Sequence, residues 1–441
     1  MNAPVILFSG RNRGRGGVMA RQVTSTTFDL DADAAQCLAE VITFVRKSRS
    51  VTRPEIATST GLSRTLATKY IDLALELNLL QSGEVGQSTG GRAPRLIDFN
   101  SDAGTILVAE LGATGFNVAA SDLNGNLLGT SFTSVEISEG PDVVLALVES
   151  SFDDLVGSLK IKNLWGVGIG VPGPVEFATG LPVSPPIMPG WDKFPLRERF
   201  STKYKVPVWV DNDVNLMALG EHALRNDPIT NELIFVKIGS GIGAGILTHG
   251  QIHRGAQGCA GDIGHIALPS NDKVQCRCGN LGCLEAVSGG LALIRDAEVA
   301  LSKNQSTHLG IRRKAKRRLE VQDVIEGSNN GDRWCVERVV KVGVDLGSVL
   351  ATLVNFHNPS LIVLGGSVSA AGDKLLASIR ETVFSRSLPL ATRDLQIRIT
   401  DYPFESGLVG AVEMVIAELF SSKFLRKWVA VGRPNQSIIY E

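Results

Sequence analysis

His265, Cys276, Cys278 and Cys283 fall in the order His-x10-Cys-x-Cys-x4-Cys. Three thiolates and one imidazole suit a tetrahedral Zn2+, and four protein donors leave no open position on the ion. The set therefore predicts one structural zinc per chain. Gly279 and Gly282 lie inside the loop, where they permit the tight fold-back a metal needs. Cys37, Cys259 and Cys335 stand outside the pattern and are expected as small core residues.

A second group of residues carries charge and hydrogen-bonding capacity on one helix face. Ser63 can cap a helix running to Leu77, on which Leu66, Tyr70, Leu73 and Leu77 share one stripe. Arg64, Thr65, Thr68 and Lys69 fall largely off that stripe and are free to meet a nucleic acid. Beyond the helix, the polar loop Ser88-Thr-Gly-Gly-Arg92-Ala-Pro-Arg95 places two arginines beside a glycine turn, where they can reach phosphates or a minor groove.

The elements that must hold these residues can be read from periodicity. Leu38, Val41, Ile42 and Val45 make one apolar helical face. Thr52 with Glu55 fits a capping box with Pro54 in the first turn, and Gly61 fits the position that ends a helix. Three short helices followed by a glycine-containing hairpin predict a winged helix-turn-helix over residues 31–99, with the Ser63–Leu77 helix in the major groove. Residues 1–30, rich in Gly, Arg, Ser and Thr, are expected as a flexible tail. From about residue 104, short apolar strands alternate with helices: 106–110, 167–171, 206–210, 233–238 and 361–364. That alternation predicts an α/β body over residues 100–441.

Charge separates the same two parts. Whole-chain net charge is −1, which names no partner. Residues 1–100 carry 12 Lys/Arg against 9 Asp/Glu, and the remainder carries 32 against 36, so nucleic acid is a candidate partner for the first part alone. Residues 312–318 hold six basic side chains in seven, expected as a solvated helix face. No apolar run approaches the ~20 residues of a membrane span, and no secretory signal is recognisable, so a cytoplasmic protein without membrane contact is expected.

Several motifs together resemble the ROK (repressor, open reading frame, kinase) family. They are Gly168-Ile-Gly-Val-Pro-Gly173, Val210-Asp-Asn-Asp213, Lys237-Ile-Gly-Ser-Gly-Ile-Gly243, Ala260-Gly-Asp-Ile-Gly-His265, Cys283-Leu-Glu285 and Asn358-Pro-Ser-Leu-Ile-Val-Leu-Gly-Gly366. The segment 56–95 is similar to the DNA-binding region of the family's regulators. The resemblance implies an actin-like, ribonuclease-H-like body of two lobes, split near residue 222. It implies that Asn212, Asp213, Asp262, His265 and Glu285 line a sugar between the lobes, with His265 also on zinc. Asp213 stands where the family's kinases keep the base that takes the proton of the attacking hydroxyl.

Departures fall on the phosphate side. Glu110-Leu-Gly-Ala-Thr-Gly115 stands where family kinases have Asp, Gly-Gly-Thr and then Lys or Asn. Glu110 is one methylene too long, Ala113 adds a Cβ where backbone meets phosphate, and Gly115 lacks a polar side chain. Ser240 replaces Thr, and Asp262 replaces Glu. Phosphoryl transfer depends on positioned phosphates and Mg2+, so ATP and Mg2+ are not expected as cofactors. The leading expectation is a DNA-binding transcriptional regulator of carbohydrate metabolism, a repressor, controlled by a sugar or sugar phosphate and acting on operator DNA as a homodimer or homotetramer. Two other readings stay open: an ATP-dependent sugar kinase carrying a DNA module, and a silent body regulated by a protein partner.

Overall fold

The computed structural model describes residues 6–7, 30–48, 50–85, 95–268, 273–314 and 318–435. Strand β1 (Ile6–Leu7) pairs antiparallel with Gly129 and Thr130 of the body. Over these two residues the expected flexible tail is replaced by an added strand, because a sheet edge offers unpaired N–H and C=O groups. The rest of the tail, 1–5 and 8–29, lies outside the described residues.

The N-terminal module forms as its caps dictate. Asp31 accepts the Ala34 N–H at 2.7 Å and starts α1 (Ala32–Lys47). Both bonds of the Thr52/Glu55 capping box open α2 (Arg53–Thr60), and Gly61 closes it at φ 69°. The Ser63 hydroxyl accepts the Leu66 N–H and starts α3 (Arg64–Glu76). Strands β2 (Leu80–Val85) and β3 (Arg95–Phe99) pair antiparallel, and Val51 bridges to Ile97 on the other side of β3. The order is that of a winged helix-turn-helix. One detail differs from the periodicity: α3 buries Ala67, Tyr70, Ile71, Leu73 and Ala74, and leaves Leu66 exposed. Small Ala67 and Ala74 let α3 approach its neighbours closely, which turns the stripe away from Leu66.

The first lobe is a six-stranded sheet in the order β1-β6-β5-β4-β7-β10. β4 (Thr105–Leu111), β5 (Phe116–Asp122) and β6 (Leu127–Thr133) form an antiparallel meander. After α4 (Pro141–Leu159) comes β7 (Leu164–Val171), parallel to β4. The small hairpin β8 (Val175–Glu176) and β9 (Leu181–Pro182) and helix α5 (Leu196–Tyr204) precede β10 (Val208–Asn212), parallel to β7. Helix α6 (Asp213–Arg225) then crosses to the second lobe.

The second sheet, in the order β13-β12-β11-β14-β15, holds β11 (Leu233–Ile238), β12 (Ile242–Thr248) and β13 (Gln251–Ile252). Helices α7 (Leu284–Ser288), α8 (Gly290–Ser302), α9 (Thr307–Lys314), α10 (Val321–Asn329) and α11 (Arg333–His357) follow. They lead to β14 (Leu361–Gly365), α12 (Asp373–Arg386), α13 (Pro389–Thr392) and β15 (Gln396–Ile399). α11 is long and apolar enough to cross a membrane by length and composition, yet more than half of its most apolar stretch is buried inside the protein. Arg338, Lys341 and Asp345 interrupt its sequence, while its apolar side fills the second-lobe core with Val342, Leu346 and Leu350. In the basic run, Arg312 pairs with Asp323 and Glu326, and Arg313 with Glu298; residues 315–317 lie outside the described residues. Cys335 is buried as expected and Cys37 half-buried, but Cys259 is exposed on a loop.

A single split near 222 does not describe the body. The chain returns through α14 (Ser406–Leu419), which packs on β4 and β7 and along α6, and ends in α15 (Ser422–Trp428). A Cβ on Gly220 would lie 1.8 Å from the Ser406 carbonyl, and one on Gly410 1.7 Å from the Leu216 carbonyl. Glycine on both helices is what lets the two backbones touch. One apolar core then runs without a break from Leu38, Val41 and Ile42 of α1 to Trp165, Trp209, Leu216, Leu408, Phe424 and Trp428. Arg46 of α1 bonds Glu413 of α14 at 2.7 Å, and Phe99 meets Phe420 edge to face. The change of texture at residue 100 is a boundary in sequence and not in packing.

Candidate functional site

Between the two sheets lies a cavity of about 270 Å3, and all five residues expected on the sugar line it: Asn212, Asp213, Asp262, His265 and Glu285. They arrive from separate elements. Asn212 ends β10 and caps α6, accepting the Val214 N–H at 2.9 Å while its amide donates to the Gly173 carbonyl at 3.0 Å. Its cap role leaves one amide N–H for a ligand. Asp213, the first residue of α6, is buried. Asp262 sits where the chain turns into 263–265, and its carboxylate accepts no hydrogen bond among the described residues. Burial raises its pKa, His265 opposes this and Glu285 adds to it. A carboxylate without protein donors, facing a cavity, is suited to the hydroxyls of a polar ligand.

Glu285, near the start of α7, belongs to two sites at once. One oxygen accepts the Ile242 N–H at 3.4 Å, and the other lies 3.5 Å from Cys276 Sγ. Behind it, His265 Nδ1 is 3.8 Å from Cys276 Sγ, and Cys278 Sγ is 3.7 Å from Cys283 Sγ. The four donor atoms all lie within 4.8 Å of one another and could hold a metal ion. Two thiolates at a Zn–S distance of 2.3 Å in a tetrahedron stand about 3.8 Å apart, which is the spacing present. The loop folds back as its glycines suggested, with Gly279 at φ 92° and Gly282 at φ 72°. His265 turns Nδ1 toward Cys276 Sγ and also lines the cavity.

The phosphate side is built differently from the sugar side. Ala113, Thr114, Ser240 and Ser367 line the same cavity, beside the glycines 239, 241 and 243. Glu110 ends buried near the start of α14, where a Cβ on Gly407 would lie 2.2 Å from its carboxyl carbon. Burial pushes its pKa up to about 7, with Lys237 pulling the other way. Lys237, on β11, forms a hydrogen-bonded ion pair with Asp213 from the other side of the cleft. Its sequence neighbours are Leu233, Ile234, Phe235, Val236 and Ile238, so a lysine closing an apolar strand was the available signal. Its role could not be read from spacing, because its partner lies 24 residues away at the start of α6.

On the N-terminal module, Ser63, Arg64, Thr65, Thr68 and Lys69 are all exposed, as is Leu66 among them. Arg95 is exposed at the start of β3; Arg92 lies outside the described residues.

Residues 106–418 match the family model described as ROK family. The chain belongs to the ROK family. A xylose repressor from Caldicellulosiruptor bescii is 28% identical over 386 residues, covering 86% of this chain and 95% of the relative. A glucokinase from Halalkalibacterium halodurans is 30% identical over 303 residues, covering 68% of the chain and 92% of that enzyme. Among solved structures, a ROK family transcriptional regulator, a homologue of the E. coli MLC protein, superposes with a TM-score of 0.78 at 23% identity. It covers 91% of this chain and all of its own. A ROK family glucokinase from Streptomyces griseus, in complex with glucose and AMPPNP, gives a TM-score of 0.61 at 25% identity over 70% of this chain and 99% of its own. The actin-like ROK body is thus shared between regulators and kinases. Only the regulators here extend the match by about the size of the N-terminal module.

Proposed function

We propose that this ROK protein is a transcriptional repressor of carbohydrate metabolism whose hold on operator DNA is controlled by a sugar or sugar phosphate in the interlobe cleft. The observation that carries this reading is the exposed polar face of α3 on a module that shares its core with the lobe bearing Asn212 and Asp213. Ser63, Arg64, Thr65, Thr68 and Lys69 would meet the major groove, and Arg92 and Arg95 the backbone or minor groove beside it. Asn212, Asp213, Asp262, His265 and Glu285 would bind the sugar hydroxyls. One structural Zn2+ on His265, Cys276, Cys278 and Cys283 would fix two of those five ligands through the loop they share. The relatives named as xylose repressors, together with the MLC homologue, support the regulatory reading. A cytoplasmic homodimer or homotetramer reading a two-fold related site fits it.

The competing reading, an ATP-dependent sugar kinase carrying a DNA module, draws on Asp213 at the base position and on the glucokinase relatives. Against it stand the Glu110, Ala113 and Gly115 departures and the cation already paired with Asp213. The test is a thermal-shift screen of sugars and sugar phosphates, each with and without ATP, followed by coupled turnover assays and operator binding by fluorescence anisotropy. The repressor reading expects a stabilising sugar, turnover at background and operator release. A turnover number of about 1–100 s⁻¹, the range of working kinases, for any sugar would replace it with the kinase reading.

A further inference from the structure

Carboxylates that converge in a buried cleft pose an electrostatic problem. Asp213 at the β10–α6 junction lines the interlobe cavity with a side chain only 3% exposed, and Glu110 from β4 is buried against Gly407 of α14. Two buried carboxylates at close range require a cation or a proton. Here the cation is part of the chain. Lys237 reaches from the second-lobe sheet, bonds Asp213 through its ammonium and acts on Glu110 as well. Its side chain is 22% exposed and borders the cavity.

We propose that Lys237 is a tethered cation that fills the place between Glu110 and Asp213 where a divalent ion would otherwise bind, so that the cleft takes its sugar without metal or nucleotide. This rests on the sugar-cleft reading above and goes further by naming the residue that separates binding from chemistry. An ammonium brings one charge where a divalent ion brings two, so it neutralises one carboxylate and leaves the other to a proton. Glu110, held largely protonated up to near neutrality by burial, is that other group. The ion pair also occupies one Asp213 oxygen that would otherwise be open to a ligand hydroxyl. The sugar side can then keep its hydrogen-bonding set while the reacting side is blocked by one lysine.

The test is Mn2+ binding to the zinc-replete full-length protein, read from the loss of the free-ion electron paramagnetic resonance signal. Wild type is expected to take up no Mn2+ in the cleft. Lys237→Ala, and independently Lys237→Ser, should each bind one Mn2+ per chain, and adding Glu110→Gln should abolish it. In wild type, sugar affinity by calorimetry should change less than about twofold on adding Mg2+ and ATP, since a cation that does not bind has no coupling to the sugar. Wild-type uptake of Mn2+ that Glu110→Gln removes would overturn the proposal. So would two folded Lys237 variants that bind none. The Mn2+ measurement uses neither sugar nor operator, so a failed sugar-sensor reading leaves its outcome unaffected.

Discussion

At the scale of single residues, Glu285 and His265 belong both to the cavity and to the His/Cys cluster. Each lines the cavity, and each lies against Cys276 Sγ. Losing the metal should therefore damage the cleft as well as the loop. Cys276→Ser and Cys278→Ser are expected to reduce bound zinc, measured by plasma mass spectrometry, from about one per chain to near zero. A tenfold or larger loss of sugar affinity should accompany it, within the usual 10–100-fold range for disturbed metal surroundings. Glu110 supplies a pH signature. Its pKa is raised by burial from an ordinary 4.5 to about 7, so folding favours its protonated form. That contribution is complete below the ordinary value and is lost as pH rises through 7. Glu110→Gln should flatten the change in urea-denaturation stability between those limits by roughly 3 kcal/mol, at about 1.4 kcal/mol per pH unit; an unchanged profile would refute the assignment. The His/Cys cluster that could hold a metal was legible in the sequence because its four donors sit within nineteen residues. Lys237 was not, since a salt bridge from a second-lobe strand to the start of α6 leaves no local spacing to read.

At the scale of elements, the caps and apolar stripes of α1, α2 and α3 specify their helices locally, and the sequence was sufficient to place them. α14 is another matter. Ser406-Gly-Leu-Val-Gly-Ala reads as a short apolar stretch, and nothing local says that Gly410 will meet Leu216 of α6 or that Gly220 will meet Ser406. The signal is a pair of glycines 190 residues apart that only the crossing explains. Helix packing at backbone contact tolerates no side chain, so Gly410→Ala must push α14 off α6. Overpacking of this kind costs about 1–3 kcal/mol or more. The variant is expected to lose that much stability in urea, with Gly157→Ala, whose added Cβ meets open space, as the matched control. Equal stability of the two variants would mean that the crossing can relax freely.

At the scale of the whole molecule, the two parts that texture and charge separate near residue 100 share one continuous core. That continuity joins residues 30–97 to residues 408–429, a separation over which periodicity carries no information. Its consequence is mechanical. α1 is held to α14 by Arg46–Glu413 and packs on α15, so the N-terminal module would move with the first lobe. Asp262, His265 and Glu285 come with the second lobe, and Asn212 and Asp213 with the first. A sugar that touches both sets favours the closed state by its differential affinity for it. In the homodimer proposed above, closure would re-aim the two modules and change half-site spacing, which major-groove docking reads strictly. By linkage, saturating sugar should weaken operator binding by a factor of roughly 5–150, and operator should weaken sugar binding equally. Asp262→Asn is the cleanest probe, because that carboxylate has no protein partner among the described residues to lose. It should bind operator with wild-type affinity by fluorescence anisotropy, yet hold it at sugar concentrations that release the wild type. If instead wild-type operator affinity is indifferent to every sugar that stabilises the fold, the cleft does not drive the DNA module, and control must enter through a protein partner.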